Sequence, residues 1–151
     1  MIAQVILWGL LILPWGLFFF LDIKKVKKFI PGGLFSALVL TVFFQFYERY
    51  QLFEINKTIF PLTNTTPFIY GIYIVLPTIF LYFTFGHFFK YILLNMVSDA
   101  IFAFGIMYWY EHLGIYKLEG LHHIIIYTNS LISAVLIYLF QKWQYNEQDE
   151  Y

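Results

Sequence analysis

The sequence predicts an all-α polytopic membrane protein, one domain over residues 1–151 built as a bundle of five transmembrane helices, and three observations predict it. The composition is the first: 61% of residues are apolar, 24% aromatic and only 12% charged, whereas about a quarter of a soluble domain is charged. The second is that uncharged or nearly uncharged apolar runs of spanning length recur at about 1–21, 29–47, 67–85, 89–110 and 121–141, each long enough to cross about 30 Å of hydrocarbon at 1.5 Å per residue. The third is the placement of basic residues in the short connections, with Lys24, Lys25, Lys27 and Lys28 crowded beside two of the runs. The 19 Phe and 13 Tyr suit side chains that face lipid or sit at headgroup level. With no Cys, disulfides, thiolate metal ligands and Cys nucleophiles are excluded. A formal net charge of zero indicates neither a nucleic-acid footprint nor an acidic partner surface.

The first run, 1–21, begins without a positive segment and ends without a small-residue cleavage site, so it reads as a retained helix rather than a signal peptide. Pro14 should kink it, because the ring removes one backbone hydrogen bond that neighbouring helices can replace in lipid. Residues 22–33, DIKKVKKFIPGG, read as a cytoplasmic loop, since Lys and Arg are retained on that side. The second helix then starts at Pro31, a residue suited to a first turn, and spans about 29–47. Along it Thr41, Gln45 and Arg49 recur at i, i+4, with Glu48 adjacent, making a polar stripe that either packs on a neighbour or lines a wet cavity.

Residues 48–66 read as an external loop with an interfacial amphipathic piece over 50–55 and two N-x-T sequons, at Asn56 and Asn64. The third helix, 67–85, carries Pro67 near its first turn and Pro77 near its middle, which frees backbone carbonyls around Tyr73 for another donor. Gly86, His87 and Lys90 make a tight turn into the fourth helix, 89–110. Residues 111–120 read as a short external loop. The fifth helix, 121–141, has small and hydrogen-bonding residues at its middle of the kind enriched between helices in lipid, and the acidic tail after it should fray.

With the amino terminus outside, the six lysines Lys24, Lys25, Lys27, Lys28, Lys90 and Lys142 fall inside, against Arg49, Lys57 and Lys117 outside. That bias places the carboxyl terminus inside. Besides the lipid bilayer, five helices make a thin bundle for which a second copy or a partner membrane subunit is the natural complement.

The segments VKKFIPGGLF (26–35), PFIYG (67–71) and FTFGHFFKYILLNMVSDAIFAF (83–104) resemble a group of small multispanning membrane proteins of spore-forming low-GC Gram-positive bacteria. The resemblance brings no activity with it, so no functional residue is carried over. It implies a bacterial cytoplasmic-membrane protein, in which both sequons would be irrelevant.

Asp99 is the most demanding residue in the chain. An ionised carboxyl at the centre of a membrane helix is disfavoured by roughly 3 kcal/mol on insertion scales, so it should be neutral, paired or facing water. Asn95 lies one turn before it on the same helix face, Ser98 lies beside it, and Phe102 and Ala103 continue that face. Leu93, Val97, Ile101 and Phe104 should point to lipid. The expected neighbours are Asn129, Ser130 and Ser133 on the fifth helix or Thr41 and Gln45 on the second, with a hydrogen bond, direct or through one water, between the Asp99 carboxyl and a polar group of the second, third or fifth helix. Two functional classes fit this pattern: a transport- or channel-like protein with a protonatable site between helices, or a noncatalytic assembly or scaffold subunit whose polar groups only fix helix pairing. A second cluster, Glu119, His122 and His123 with Glu111 and His112 nearby, has ligand types that suit zinc or iron, and Glu119 and His122 at i, i+3 would share a helix face. Adjacent histidines diverge by about 100° on a helix, however. No GxSxG, HExxH, P-loop or GxGxxG occurs, so no cofactor is called for and a non-enzyme is favoured.

Overall fold

The computed structural model describes residues 2–62 and 67–148. The described residues contain five helices long and apolar enough to cross a membrane: Ala3–Phe20, Ile23–Arg49, Pro67–Thr84, Phe88–His112 and His123–Asn146. The sequon at Asn64 and the last three residues of the acidic tail lie outside the described residues.

Helix α1 (Ile2–Ile12) passes into a 3-10 segment, Leu13–Phe20. The change falls at Pro14, which has no N–H to give to the Leu10 carbonyl one turn earlier. That carbonyl is where the chain makes a close approach: a Cβ on Gly71 would collide with it and would stand 2.7 Å from Leu11 Cα. Only glycine lets the start of the third span pack so tightly here.

Helix α2 (Ile23–Arg49) begins eight residues before Pro31, so the lysine-rich stretch is helical and not a loop. The reason is visible at Asp22, whose carboxylate accepts from the Lys24 N–H at 2.9 Å and caps the helix, a strong local start signal. Pro31 lies inside the helix. Beside it Gln141 ties α6 to α2, its Nε2 donating to the Lys28 carbonyl at 2.9 Å, while the carbonyl that Pro31 leaves without its N–H is that of Lys27. The following pair is the crossing point with two other helices. A Cβ on Gly32 would stand 2.6 Å from Leu81 Cδ1 and 2.8 Å from Gln141 Oε1, and one on Gly33 would strike the Thr78 hydroxyl and the Ile74 carbonyl.

After a short 3-10 turn, Pro67–Ile69, come α3 (Ile72–Thr84) and α4 (Phe88–Ile101). A π-turn, Phe102–Ile106, joins α4 to α5 (Met107–His112) within one span. The last helix, α6 (His123–Gln148), runs about two turns beyond the expected end at 141. The connections 48–62 and 113–120 are not simple loops. Strand β1 (Phe53–Ile55) pairs antiparallel with β2 (Tyr116–Leu118), in the register Phe53↔Leu118, Glu54↔Lys117, Ile55↔Tyr116. Both strands alternate apolar and polar residues, the pattern of a half-buried strand, and this overrides the amphipathic interfacial piece expected at 50–55. Phe53 stacks on Tyr116 at 4.9 Å between centroids, and the Tyr116 hydroxyl donates to the Met107 carbonyl.

The ribbon defines one end of the bundle, since β1 follows α2 and β2 lies between α5 and α6. The opposite end gathers the start of α2, the 85–87 turn and the last turns of α6, with Lys25 Nζ 4.2 Å from the Tyr82 ring centroid. Towards the ribbon the core is aromatic, with Phe44 edge-on to Phe53 and Phe68. Towards the lysine end it is built from Phe29, Leu81, Tyr91, Ile137 and Tyr138. Ser36, Asn95, Asp99, Ser130 and Ser133 gather between these two apolar layers.

Candidate functional site

Helix α4 presents its two faces in the phase that a 3.6-residue period requires. Asn95, Asp99, Phe102 and Ala103 are buried, while Leu93, Val97, Ile101 and Phe104 are exposed. Asp99 is 9% and Asn95 5% exposed, so the carboxyl is inside the bundle.

It lines a cavity of about 40 Å³ between α2, α3, α4 and α6. Ser36 comes from α2, Tyr73 and Pro77 from α3, Asn95, Ser98 and Asp99 from α4, and Ser130 and Ser133 from α6. Apolar closure is given by Leu40, Leu76, Phe80, Phe102 and Ile137. None of the lining residues is Lys, Arg or His.

The hydrogen bonds around this cavity run mostly to backbone. Asn95 Nδ2 donates to the Tyr91 carbonyl at 2.8 Å, which leaves the amide oxygen uncommitted. The Ser133 hydroxyl donates to the Asn129 carbonyl at 2.8 Å, and Thr78 does the same to Ile74 at 2.8 Å. One buried hydroxyl of the lining, Ser36 Oγ, has no partner. Among the described residues the Asp99 carboxyl makes no direct hydrogen bond to α2, α3 or α6, contrary to the direct form of the expectation. The phenols of Tyr73 and Tyr91 are the ionisable groups close enough to feel its charge. The physical reason is the cavity itself, which holds the helices apart at this level and exceeds the ~10–15 Å³ that one water needs.

Three expected members of the site lie elsewhere. Gln45 is exposed, because Ser36, Leu40, Phe44 and Tyr47 set the buried stripe of α2 and position 45 stands about 100° away from it. Asn129 donates instead to the Tyr47 hydroxyl, nearer the ribbon, in a separate small pocket with Tyr73 and Ser130. Thr41 is turned to its own helix, donating to the Ala37 carbonyl at 2.7 Å. Conversely, Ser36 and the Tyr73 side chain belong to the cavity and were not expected there. Ser36 was legible in principle: in GGLFSA it follows Gly32 and Gly33 by one turn, on the face of small residues where a neighbour can approach.

The histidine cluster does not form a site. Helix α6 begins only at His123, so Glu119 and His122 are not on one helical face. Glu119 pairs with Lys117 at 2.5 Å and His122 is exposed. His123 packs beside Phe104 and Tyr108. Among the described residues no three His, Cys, Asp or Glu side chains come together as a metal site.

The chemistry open to the Asp99 cavity is that of oxygen donors around one carboxyl, with no fixed positive charge to pair it. A scan against protein-family models gives no match, and searches of curated proteins and of solved structures give none either.

Proposed function

We propose that this chain is a multi-pass protein of the bacterial cytoplasmic membrane, of transport or channel type, in which Asp99 is the protonatable group of a polar site between helices. The observation that carries the reading is a carboxyl buried at mid-span beside a cavity with no cationic side chain to balance it. Such a group is expensive unless it is neutral, hydrated or occupied, and intramembrane carboxyls of this kind mark ion and proton pathways. The backbone around it supports the same reading. Pro77 in α3 and the π-turn after Asp99 interrupt two of the helices that enclose the site, and breaks of this sort recur at transporter sites and functional hinges.

Orientation follows from charge. Lys24, Lys25, Lys27, Lys28, Lys90 and Lys142 belong to the end opposite the ribbon, which makes that end cytoplasmic and puts the amino terminus and the ribbon outside. The test is flux in proteoliposomes under a pH gradient, read with an entrapped pH-sensitive dye. Asp99→Asn keeps the shape and a hydrogen-bonding group but cannot release a proton. Wild type should collapse the gradient and Asp99→Asn should not, at equal incorporation; flux that survives the substitution overturns the reading.

A second reading, an assembly or scaffold subunit, draws on the ties between helices. Gln141 binds the Lys28 carbonyl and Asn129 the Tyr47 hydroxyl, so intramembrane polar groups also fix packing here. Under that reading a partner subunit or second copy would co-purify from native membranes irrespective of Asp99→Asn.

A further inference from the structure

We infer that the Asp99 cavity is a binding site for one alkali-metal cation, taken up in exchange for the carboxyl proton. The inference rests on the proposed reading of Asp99 as a protonatable group and adds what competes with the proton.

The donor set is the first argument. Asn95 engages its amide nitrogen with the Tyr91 carbonyl, so its oxygen is the end left for the cavity. Ser36 Oγ is 1% exposed and has no partner. Pro77 has no N–H to offer the Tyr73 carbonyl one turn earlier, and both residues line the cavity. With the Asp99 carboxylate and the Ser130 hydroxyl these are all oxygen ligands, the set that hard cations prefer. Ions held at interrupted helices use the same combination of side-chain and freed backbone oxygens.

Charge and size narrow the class. The polar side chains that line the cavity with Asp99 are Ser36 from α2, Tyr73 from α3, Asn95 and Ser98 from α4, and Ser130 and Ser133 from α6, while on its own helix Tyr91 lies two turns earlier, packed on Tyr138 of α6. Phenols are neutral at neutral pH, so the site offers one negative charge in all. A monovalent cation cancels it, whereas a divalent one would leave a buried positive charge without a partner. A cavity of about 40 Å³ admits a bare alkali ion with a water or two. The exchange balances as written: the O–H bond of the carboxylic acid breaks, the proton leaves to water, and the cation takes the carboxylate.

The experiment uses the purified full chain in detergent, in weakly buffered solution at neutral pH, titrated with NaCl or with choline chloride at equal ionic strength. Because ligand deprotonation accompanies metal binding, NaCl should release about one proton per chain and choline chloride none. NaCl alone should also raise the melting temperature, since it binds only the folded state. Asp99→Asn should abolish both responses. Ser36→Ala, which removes one hydroxyl and leaves the carboxyl, should shift the NaCl concentration at half-release upward by about tenfold with the amplitude intact, the effect of losing one contact of about 1.4 kcal/mol. Release that choline matches, that persists in Asp99→Asn, or that is absent from wild type overturns the cation site. If release is absent while proton flux still depends on Asp99, only this inference fails; if flux is independent of Asp99, the proposed function fails instead.

Discussion

At the scale of single residues, the sharpest constraint is the pair of glycines in α2. Gly33 faces the backbone carbonyl of Ile74 and the Thr78 hydroxyl, and a backbone atom cannot swing aside as a side-chain tip can. Gly33→Ala should therefore destabilise by about 1–3 kcal/mol, the usual range for overpacking. Gly105, by contrast, has nothing within 4 Å of where its Cβ would stand, so Gly105→Ala should leave the melting temperature of the detergent-solubilised protein near wild type. Equal effects at the two positions would mean that α2 and α3 do not meet at Gly33. Which residues of α4 point inward was legible from the chain, because Asn95 and Asp99 are the polar positions of an otherwise apolar segment and one turn apart. The inward face of α2 was harder to read. Its polar stripe Thr41, Gln45 and Arg49 reads as a face that packs on a neighbour or lines a wet cavity, yet the buried stripe is the one through Ser36, Leu40 and Phe44. A polar residue near the end of a span, unlike one at its middle, pays little for facing outward, so its periodicity carries less information.

At the scale of elements, the ribbon between the two connections ties the bundle's halves together. Tyr116 is central to it, stacked on Phe53 and donating to the Met107 carbonyl. Its burial, with the nearby Glu111 and Tyr110, raises the phenol's pKa well above the usual value. The folded state then holds this proton more tightly than the unfolded state, so the contribution is complete below the ordinary tyrosine pKa of about 10 and is lost as pH rises beyond it. Wild type should lose thermal stability above about pH 10 more steeply than Tyr116→Phe. At neutral pH Tyr116→Phe should itself cost about 1–3 kcal/mol, because the Met107 carbonyl loses its donor; parallel alkaline profiles would show that the phenol is not held neutral by the fold. The pairing behind this was hidden in sequence. Strands of three residues are too short for their alternation to stand out, and their partner lies across three helices. The early start of α2 was hidden for another reason: Pro31 is a good first-turn residue, but the Asp22 cap outcompetes it and the helix carries Pro31 in its interior.

At the scale of the whole molecule, the five spans followed from the length and apolarity of the segments alone, while the proposed orientation rests on where the basic residues lie. The fold sharpens that argument, because it joins three separate stretches of chain at one end: the first turns of α2, the start of α4 and the last turns of α6. The ribbon end holds Arg49, Lys57 and Lys117, but Lys57 donates to the Leu113 carbonyl at 2.8 Å and Lys117 is paired with Glu119. Reporter fusions belong at Gly86, which is exposed with nothing near its Cβ position, and at Asn56, which is exposed on the ribbon side. Gly33, inside the packed α2, would disrupt the fold. The expected readout is cytoplasmic at Gly86 and external at Asn56. Replacing Lys24, Lys25, Lys27 and Lys28 with Gln then tests the cause. Lys90 and Lys142 would remain at one end against Arg49, Lys57 and Lys117 at the other, so the bias proposed to hold the lysine end in the cytoplasm is gone. The quadruple variant should give a mixed or inverted readout at Asn56. An unchanged external readout would show that the ribbon or the length of the spans, rather than the lysines, sets the direction of insertion.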